Sequence, residues 1–514
     1  MNLLDLPWIP VWIDGERRLL RPADLATTPA DDLAAPRADL TCGLLEFLIG
    51  LLQAALRPKD DDACTDLVLD GPPAQLGQKL EALRPALNLR GTGPLFLQEH
   101  DLPAEADEVA IERLFLDAAG EFFNKPGTFQ ALCPACVAAA LYVHQTRANQ
   151  GGRGYRTSLR GGAPLTTLVV PDPNDATGGR LWQMLAQNLV PETQLRALAD
   201  GPDTPPTIFP WLLPERPDQL TRELIHPLHL YWCMPRRVCL TWTDGPTTCD
   251  VCRAATDTSA HAFRRVSAGI NYTGPYEHPL SPVLIDKVGT RCLPTPIEGV
   301  RYREWLGLVA STRGKDRSTT PARVVHNVLS ALGTRRPQTR AFGYAMDSAK
   351  PRAWYDRTLP LLDPRGTDLA LLQAWLERAL EGAGYVRSLV VGHVVAAWTH
   401  GKLRGDTTTI ANELWERTEG DFFAVVALAR EAVNQGQEKE REVAEIWRRA
   451  LERHALALFE RHVQPELILG NAIERVMKAQ NQLQAKLRGA KLKEILGFAP
   501  AEKPKTARKS KEKA

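Results

Sequence analysis

Val443-Ala-Glu-Ile-Trp-Arg-Arg-Ala-Leu-Glu-Arg-His-Ala-Leu-Ala-Leu458 decides the architecture of the C-terminal part of this chain. Val443, Ile446, Trp447, Ala450, Leu451, His454 and Leu458 recur at helical spacing, with glutamates and arginines on the other face. Helical patterns extend outward from it. One runs from about Thr408 to Asn434 and one from Tyr385 to Leu403, and another passes through Leu371, Trp375 and Leu380 to Gly382 and Gly384. Thr367-Asp368 supplies the capping residues for the last of these. A further helix is expected from Pro465 to Leu496. Long amphipathic helices with short connections predict an antiparallel helical bundle over 364–500. The stretch 501–514 carries Lys503, Lys505, Arg508, Lys509, Lys511 and Lys513 and nothing apolar to bury, which predicts a disordered basic tail.

Residues 1–363 read differently. Short β-like runs such as Leu165-Thr-Thr-Leu-Val-Val170 and Val238-Cys-Leu-Thr-Trp242 alternate with helical patches and Pro- and Gly-rich connections. This texture predicts a mixed α/β domain with long loops, and α+β as the class of the whole chain. At 514 residues the chain exceeds what one hydrophobic core usually serves, which agrees with two domains. The composition, 44% hydrophobic and 24% charged, is that of a soluble globular protein. A net charge of +2 leaves any anionic partner to be met by local basic patches. Leu44–Leu56 is the most apolar run; with Glu46 and Gln53 inside it, a buried helix is expected rather than a membrane span. The start Met1-Asn-Leu-Leu-Asp-Leu-Pro-Trp8 lacks a signal-peptide pattern, so the cytoplasm is the expected compartment.

Among nine cysteines, two pairs stand out: Cys133-Pro-Ala-Cys136 and Cys249-Asp-Val-Cys252. A C-x-x-C turn offers two thiolates from one knuckle, and two such turns make the closed four-sulfur set of a structural zinc site. The separation of the pairs is far wider than in familiar zinc modules, and a redox dithiol is the competing reading. No HExxH or H-x-E pattern accompanies the cysteines, so a metal-dependent hydrolase or deaminase has no second half to its site.

Gln150-Gly-Gly-Arg-Gly-Tyr-Arg-Thr-Ser-Leu-Arg-Gly-Gly162 mixes glycines with Arg153, Arg156 and Arg160. Gly151, Gly152 and Gly154 let a backbone approach another chain closely, the arginines attract phosphate, and Tyr155 can stack or wedge. The plain alternative is a flexible surface loop. No phosphate-cradling GxxxxGK[ST] run is present. Arg264-Arg265 follows the second cysteine pair, as either a solvated charge pair or a basic finger for a DNA groove.

Several stretches in order carry a family resemblance. They are Asn2-Leu-Leu-Asp-Leu-Pro-Trp-Ile-Pro-Val11, Phe122-Phe-Asn-Lys-Pro-Gly127 leading to the first cysteine pair, Leu159-Arg-Gly-Gly162, and Phe342-Gly-Tyr-Ala-Met-Asp347. With the C-terminal helices, the chain resembles the large subunit, CasA, of the type I-E CRISPR effector Cascade over nearly its whole length. The resemblance implies a non-enzymatic subunit that reads the protospacer-adjacent motif (PAM) in double-stranded DNA through the minor groove. A glycine loop would fall on Gly151, Gly152 and Gly154. A lysine finger would fall on Arg264 or Arg265, where arginine replaces the family's lysine. A glutamine wedge would fall at Asp347-Ser348-Ala349, where the glutamine is absent and Met346 or Lys350 could substitute. Phe122 and Asn124 match a further motif-contacting loop.

The implied partners are the other Cascade subunits, CRISPR RNA, target DNA and the helicase-nuclease, with structural zinc as cofactor and no membrane. The competing function from the residues alone is a zinc-dependent nucleic-acid-cleaving enzyme, which would need a carboxylate or histidine cluster at the metal.

Overall fold

The computed structural model describes residues 1–120, 124–149, 155–172, 180–314, 316–330, 337–363, 366–398, 406–468 and 473–498. The chain divides into two compact units, one of residues 1–300 with 307–363, the other of residues 301–306 with the chain from Pro364 onward.

The first unit is mixed α and β. Its centre is the helix Ala38–Leu56, in which fifteen residues, Glu46 and Gln53 included, are buried. As expected of Leu44–Leu56, the apolar run is core: 83% of the helix's most apolar window is inside the protein. Phe47 on this helix meets Trp8, Phe96, Tyr142 and Trp232 edge-on at 5.1–5.7 Å. The buried amide of Gln53 exchanges two hydrogen bonds with the backbone of Val190, so the polar group carries no desolvation debt.

Small antiparallel sheets surround the helix. Ile9–Ile13 pairs with Glu16–Leu20 and Asp32–Leu33. The long hairpin Arg237–Thr248/Ala255–Val266 takes Asp107–Ala110 on its second strand. A second long hairpin, Gln338–Asp347/Lys350–Pro360, takes Thr166–Val170 on its first strand. The run read from sequence at Leu165–Val170 is therefore a strand at the edge of this three-stranded sheet, and 166–169 is nonetheless fully buried in accord with its apolar and threonine content.

The second unit is helical. Leu369–Trp398, Thr408–Ala432 and Gln437–Ile468 are long helices, followed by Ile473–Leu487 and Ala490–Ile495. Asp368 caps the first through its side chain, which accepts from Ala370 N and Leu371 N at 3.0 and 3.1 Å. Val443, Trp447, Ala450, Leu451 and Leu458 form the buried stripe as read from sequence, whereas Ile446 is exposed at the stripe's edge.

Two helix boundaries differ from expectation. Gly382 and Gly384 do not end a helix, because one helix runs from Leu369 to Trp398. A Cβ at Gly382 would come within 2.6 Å of Leu496, so that glycine marks a close approach between helices. The stretch expected as one helix from Pro465 to Leu496 is divided: the preceding helix continues to Ile468, and Gly489 separates Ile473–Leu487 from Ala490–Ile495.

The short segment 301–306 packs into this unit. Tyr302 stacks on Phe422 at 4.3 Å, its hydroxyl lies 2.8 Å from Thr418 Oγ1, and Trp305 meets Phe423 edge-on. No hydrophobic periodicity announces that excursion in a six-residue stretch.

Candidate metal centre and arginine-lined cleft

The two cysteine pairs meet. Cys133 is the N-cap of the helix Pro134–Thr146, with Pro134 at the first helical position, where a missing N–H costs nothing. Cys249 and Cys252 lie at the tip of the long hairpin, in a tight turn closed by Arg253 N donating to Cys249 O at 2.9 Å. Arg253 takes the left-handed φ of +63° that turns the chain back. The knuckles are stitched together by backbone. Asp250 N donates to Ala131 O, while the Asp250 carboxylate accepts from Gln130 N and Ala131 N at 2.8 and 2.9 Å. Leu132 and Ala260 exchange a pair of 2.9 Å hydrogen bonds.

The result is four sulfurs that all lie within 4.8 Å of one another, with Cys133 Sγ 3.6 Å from Cys252 Sγ. A metal bound at about 2.3 Å by four thiolates requires sulfur–sulfur edges of about 3.8 Å. The set therefore fits a tetrahedral ion. The thiols of Cys133 and Cys136 hydrogen-bond Cys249 and hold its sulfur well below the ordinary thiol range, and a hydrogen bond from Cys136 brings Cys252 down to about 6. Four sulfurs of which some favour the thiolate form can hold a metal ion. Among the described residues this is the cluster of His, Cys, Asp or Glu side chains close enough to do so. His261, the histidine nearest the second pair in sequence, instead meets Thr243 Oγ1 at 2.9 Å across the hairpin.

The second feature is a cleft of about 300 Å³ at the root of the same hairpin. Arg113, Arg236, Arg237 and Arg265 line it together with Tyr155, Asn149, Phe263, Gly269 and Ala349, and no Asp or Glu among the described residues does. Arg237 is neutralised by Glu99, whose carboxylate accepts from its Nε at 2.9 Å. Arg236 and Arg265 stand over the Tyr155 ring at 4.9 and 5.6 Å. Burial pushes the Arg236 guanidinium down to about 10, and among the described residues its buried Nη1 has no hydrogen-bond partner. His144 in the lining adds no positive charge near neutrality, since burial pushes it down to about 3. Among the described residues three guanidinium groups with no carboxylate partner thus share an apolar, aromatic cleft, an arrangement that accepts an anion.

Of the residues singled out from sequence, the structure brings Arg265, Ala349 and the loop-end Tyr155 to this cleft. Arg264 is the neighbour of Arg265 in the strand Ala255–Val266, in the part whose pairing is unbroken from Ala262 to Val266. It faces the other side and donates to Pro103 O at 2.6 Å. Asp347, Ser348 and Ala349 form the turn of the Gln338–Asp347/Lys350–Pro360 hairpin. Ser348 and Lys350 are exposed and Met346 is half-buried, while the Asp347 carboxylate accepts from Arg352 Nη2 at 2.6 Å. Arg156 is exposed. Asn124 is half-buried and does not line the cleft. Phe122, Gly151, Gly152, Arg153, Gly154 and the tail 501–514 lie outside the described residues.

Arg160 is a correction. Read from sequence as a phosphate ligand, it is buried, and its Nη1 donates to Glu46 Oε1 at 3.0 Å while its guanidinium also reaches Ser281 Oγ. Arg147 donates to the same Glu46 oxygen at 2.7 Å and to Thr166 Oγ1 at 2.9 Å. Glu46 therefore ties both ends of the segment 147–160 to the core helix. Close to it, Ser158 N donates to Ala148 O at 2.9 Å. Sequence reading missed Glu46, Asn149, Arg113 and Arg236. The one available signal was a glutamate inside the most apolar run of the chain, which implies a buried cationic partner.

The profile of the CRISPR-associated protein Cse1 family matches residues 2–458. The fold is similar to that of Thermus thermophilus CasA (Cse1), with a TM-score of 0.71 at 20% identity, over 95% of this chain and 99% of that one. It is also similar to Thermobifida fusca Cse1, with a TM-score of 0.69 at 16% identity, over 97% and 99% of the two chains. A chain of a CRISPR RNA-guided surveillance complex matches with a TM-score of 0.68 at 15% identity, over 95% and 99%. With nearly nine-tenths of its length under the family profile, this chain belongs to the CRISPR-associated Cse1 (CasA) family, the large subunit of type I-E Cascade.

Proposed function

We propose that this chain works inside an assembled type I-E Cascade, with CRISPR RNA and the other subunits as its partners, and reads the protospacer-adjacent motif in double-stranded DNA. The similarity to a chain of a CRISPR RNA-guided surveillance complex supports the assembly. The reading rests on one observation above others: Arg265, Tyr155 and the Ala349 turn, from three distant stretches, converge on a cleft where, among the described residues, three guanidinium groups have no carboxylate partner and no acid lines the wall. Such a cleft meets the phosphate flanks of a groove, while backbone and short side chains at its rim meet base edges. The minor groove presents a degenerate pattern, so a reader of this kind admits several related motifs. Sequence identity is then left to guide-RNA pairing.

The exposed hairpin turn beside the cleft would promote strand separation and R-loop formation, and the first unit would dock the helicase-nuclease in the cytoplasm. Zinc is the ion that Cys133, Cys136, Cys249 and Cys252 would hold. Four protein sulfurs would fill its ligand set and leave no position for an activated water, so its role would be structural and the subunit no enzyme.

The test uses the assembled complex and duplexes with and without the motif. Replacing Arg265 and Arg113 with Ala should weaken motif-dependent binding and flatten its salt dependence by roughly one phosphate contact each. Unchanged affinity and salt slope, or metal-dependent cleavage of DNA by the purified chain, would overturn the reading.

A further inference from the structure

The turn beside the cleft is unusual in its backbone. Two residues, Ser348 and Ala349, link strands whose last pair is Asp347 with Lys350, and both have left-handed φ, +51° and +67°. A two-residue hairpin turn of this type favours Asn-Gly, because side chains with a Cβ rarely adopt that conformation. Ser-Ala supplies neither preference, so something outside the hairpin must hold the turn.

That contact comes from 200 residues away. Asn149 Nδ2 donates to Ala349 O at 2.8 Å. Asn149 is itself held from behind: Arg236 Nη2 donates to its carbonyl oxygen at 2.5 Å. Arg236 is fixed in turn by Gln145, whose amide accepts from Arg236 N and donates to Arg236 O, both at 3.0 Å. A continuous path therefore runs from the helix Pro134–Thr146, through the buried arginine of the cleft, to the turn. Asn149 and Ala349 also line a second cavity, so their contact is shared by two recesses.

We propose that Asn149 is a positioning residue that holds the Ser348-Ala349 turn in its left-handed form at the rim of the arginine cleft, so that cleft and turn engage a DNA duplex as one unit. The proposal rests on reading that cleft and turn as the DNA-reading site. Asn149 touches no reacting atom; it acts through Ala349.

The experiment measures binding of the assembled complex to a motif-bearing duplex, with a fluorescent base analogue beside the motif to report strand opening. Asn149→Ala should weaken binding and slow opening by roughly fivefold, the effect of one lost hydrogen bond, with the melting temperature of the subunit lowered by no more than about 2–3 °C. Adding Ser348→Asn and Ala349→Gly, which favour the same turn intrinsically, should restore both readouts to within about twofold. A merely structural role for Asn149 would not be rescued by residues that alter the turn alone. Parental binding by Asn149→Ala, or loss that the turn substitutions do not restore, refutes the latch. Charge reversal at the exposed tip, Ser348→Glu with Lys350→Glu, separates the two levels. If it abolishes binding while Asn149→Ala is neutral, the latch alone falls; if both are neutral, the DNA-reading assignment falls with it.

Discussion

Glu46→Gln removes one negative charge from a place where two positive ones depend on it. The Glu46 side chain is 1% exposed and those of Arg147 and Arg160 are 2% exposed, at 2.7 and 3.0 Å from the same carboxylate oxygen. The neutral amide keeps the shape and strands two guanidinium groups in the interior. Breaking a buried ion pair by removing one partner costs about 3–5 kcal/mol, a large part of the roughly 5–15 kcal/mol that stabilises a domain. For a unit of this size, about 2 °C per kcal/mol gives a fall in Tm of roughly 6–10 °C. Arg147 also lies over Phe342 and Trp354 at 5.3 and 5.5 Å, so the loss should spread to the hairpin that carries the turn.

The assay is calorimetry of the purified subunit, with Glu46→Leu/Arg147→Met/Arg160→Met as the companion variant. Replacing all three charges with apolar groups should recover most of the loss, because no buried charge is left unpaired. The pH dependence has a definite sign. Although burial pushes Glu46 upward, Arg147 and Arg160 hold its carboxyl below the usual range. A group depressed in the folded state contributes stability that is fully present above the ordinary carboxylate pKa and is lost as pH falls through the lower, folded value. The gap between parent and Glu46→Gln should therefore persist to pH 5 and close only in more acid solution. A Tm shift under 1 °C, or a triple variant no better than the single one, would refute the reasoning.

Two further predictions concern packing and metal. Cys249→Ser with Cys252→Ser should abolish binding of one zinc per chain, read by atomic absorption, and should lower Tm, since metal binding of this kind contributes on the order of 10 kcal/mol to folding. Motif-dependent DNA binding by the assembled complex should loosen with it, because the same hairpin that carries the cysteines at its tip carries Arg265 at its root. Two glycines of the first long helix should respond in opposite directions. Gly382→Ala places a Cβ about where Leu496 already sits, 2.6 Å away, and should destabilise by about 1–3 kcal/mol. Gly384→Ala meets nothing within 4 Å and should stabilise by about 0.5–1 kcal/mol. Equal shifts for the two in denaturant titration would contradict the packing described here.

The sequence by itself determined what repeats locally. The spacing of Val443, Trp447, Ala450, Leu451 and Leu458 encodes a helix with one buried face, and the alternation around Val238 encodes a strand, because each residue's environment there follows from its near neighbours. The cysteine pairs were legible for the same reason, since a C-x-x-C turn is a local object, and only their meeting needed the fold. Tertiary structure decided everything that depends on which residues meet across long separations.

Arg160 and Arg265 look alike in the sequence, yet one is consumed by Glu46 in the interior and the other stands over Tyr155 at a cleft, with no carboxylate partner among the described residues. Arg264 and Arg265 are adjacent, and the strand's two-residue period sends them to opposite faces. Gly382 has the local look of a helix end, yet it lies inside a helix with Leu496 against it. Asn149 had no signal at all, because its meaning lies in a carbonyl 200 residues away. Charge and propensity are properties of a residue. Whether a charge is neutralised, or a turn held against its own preference, is a property of the residues that chain folding brings beside it.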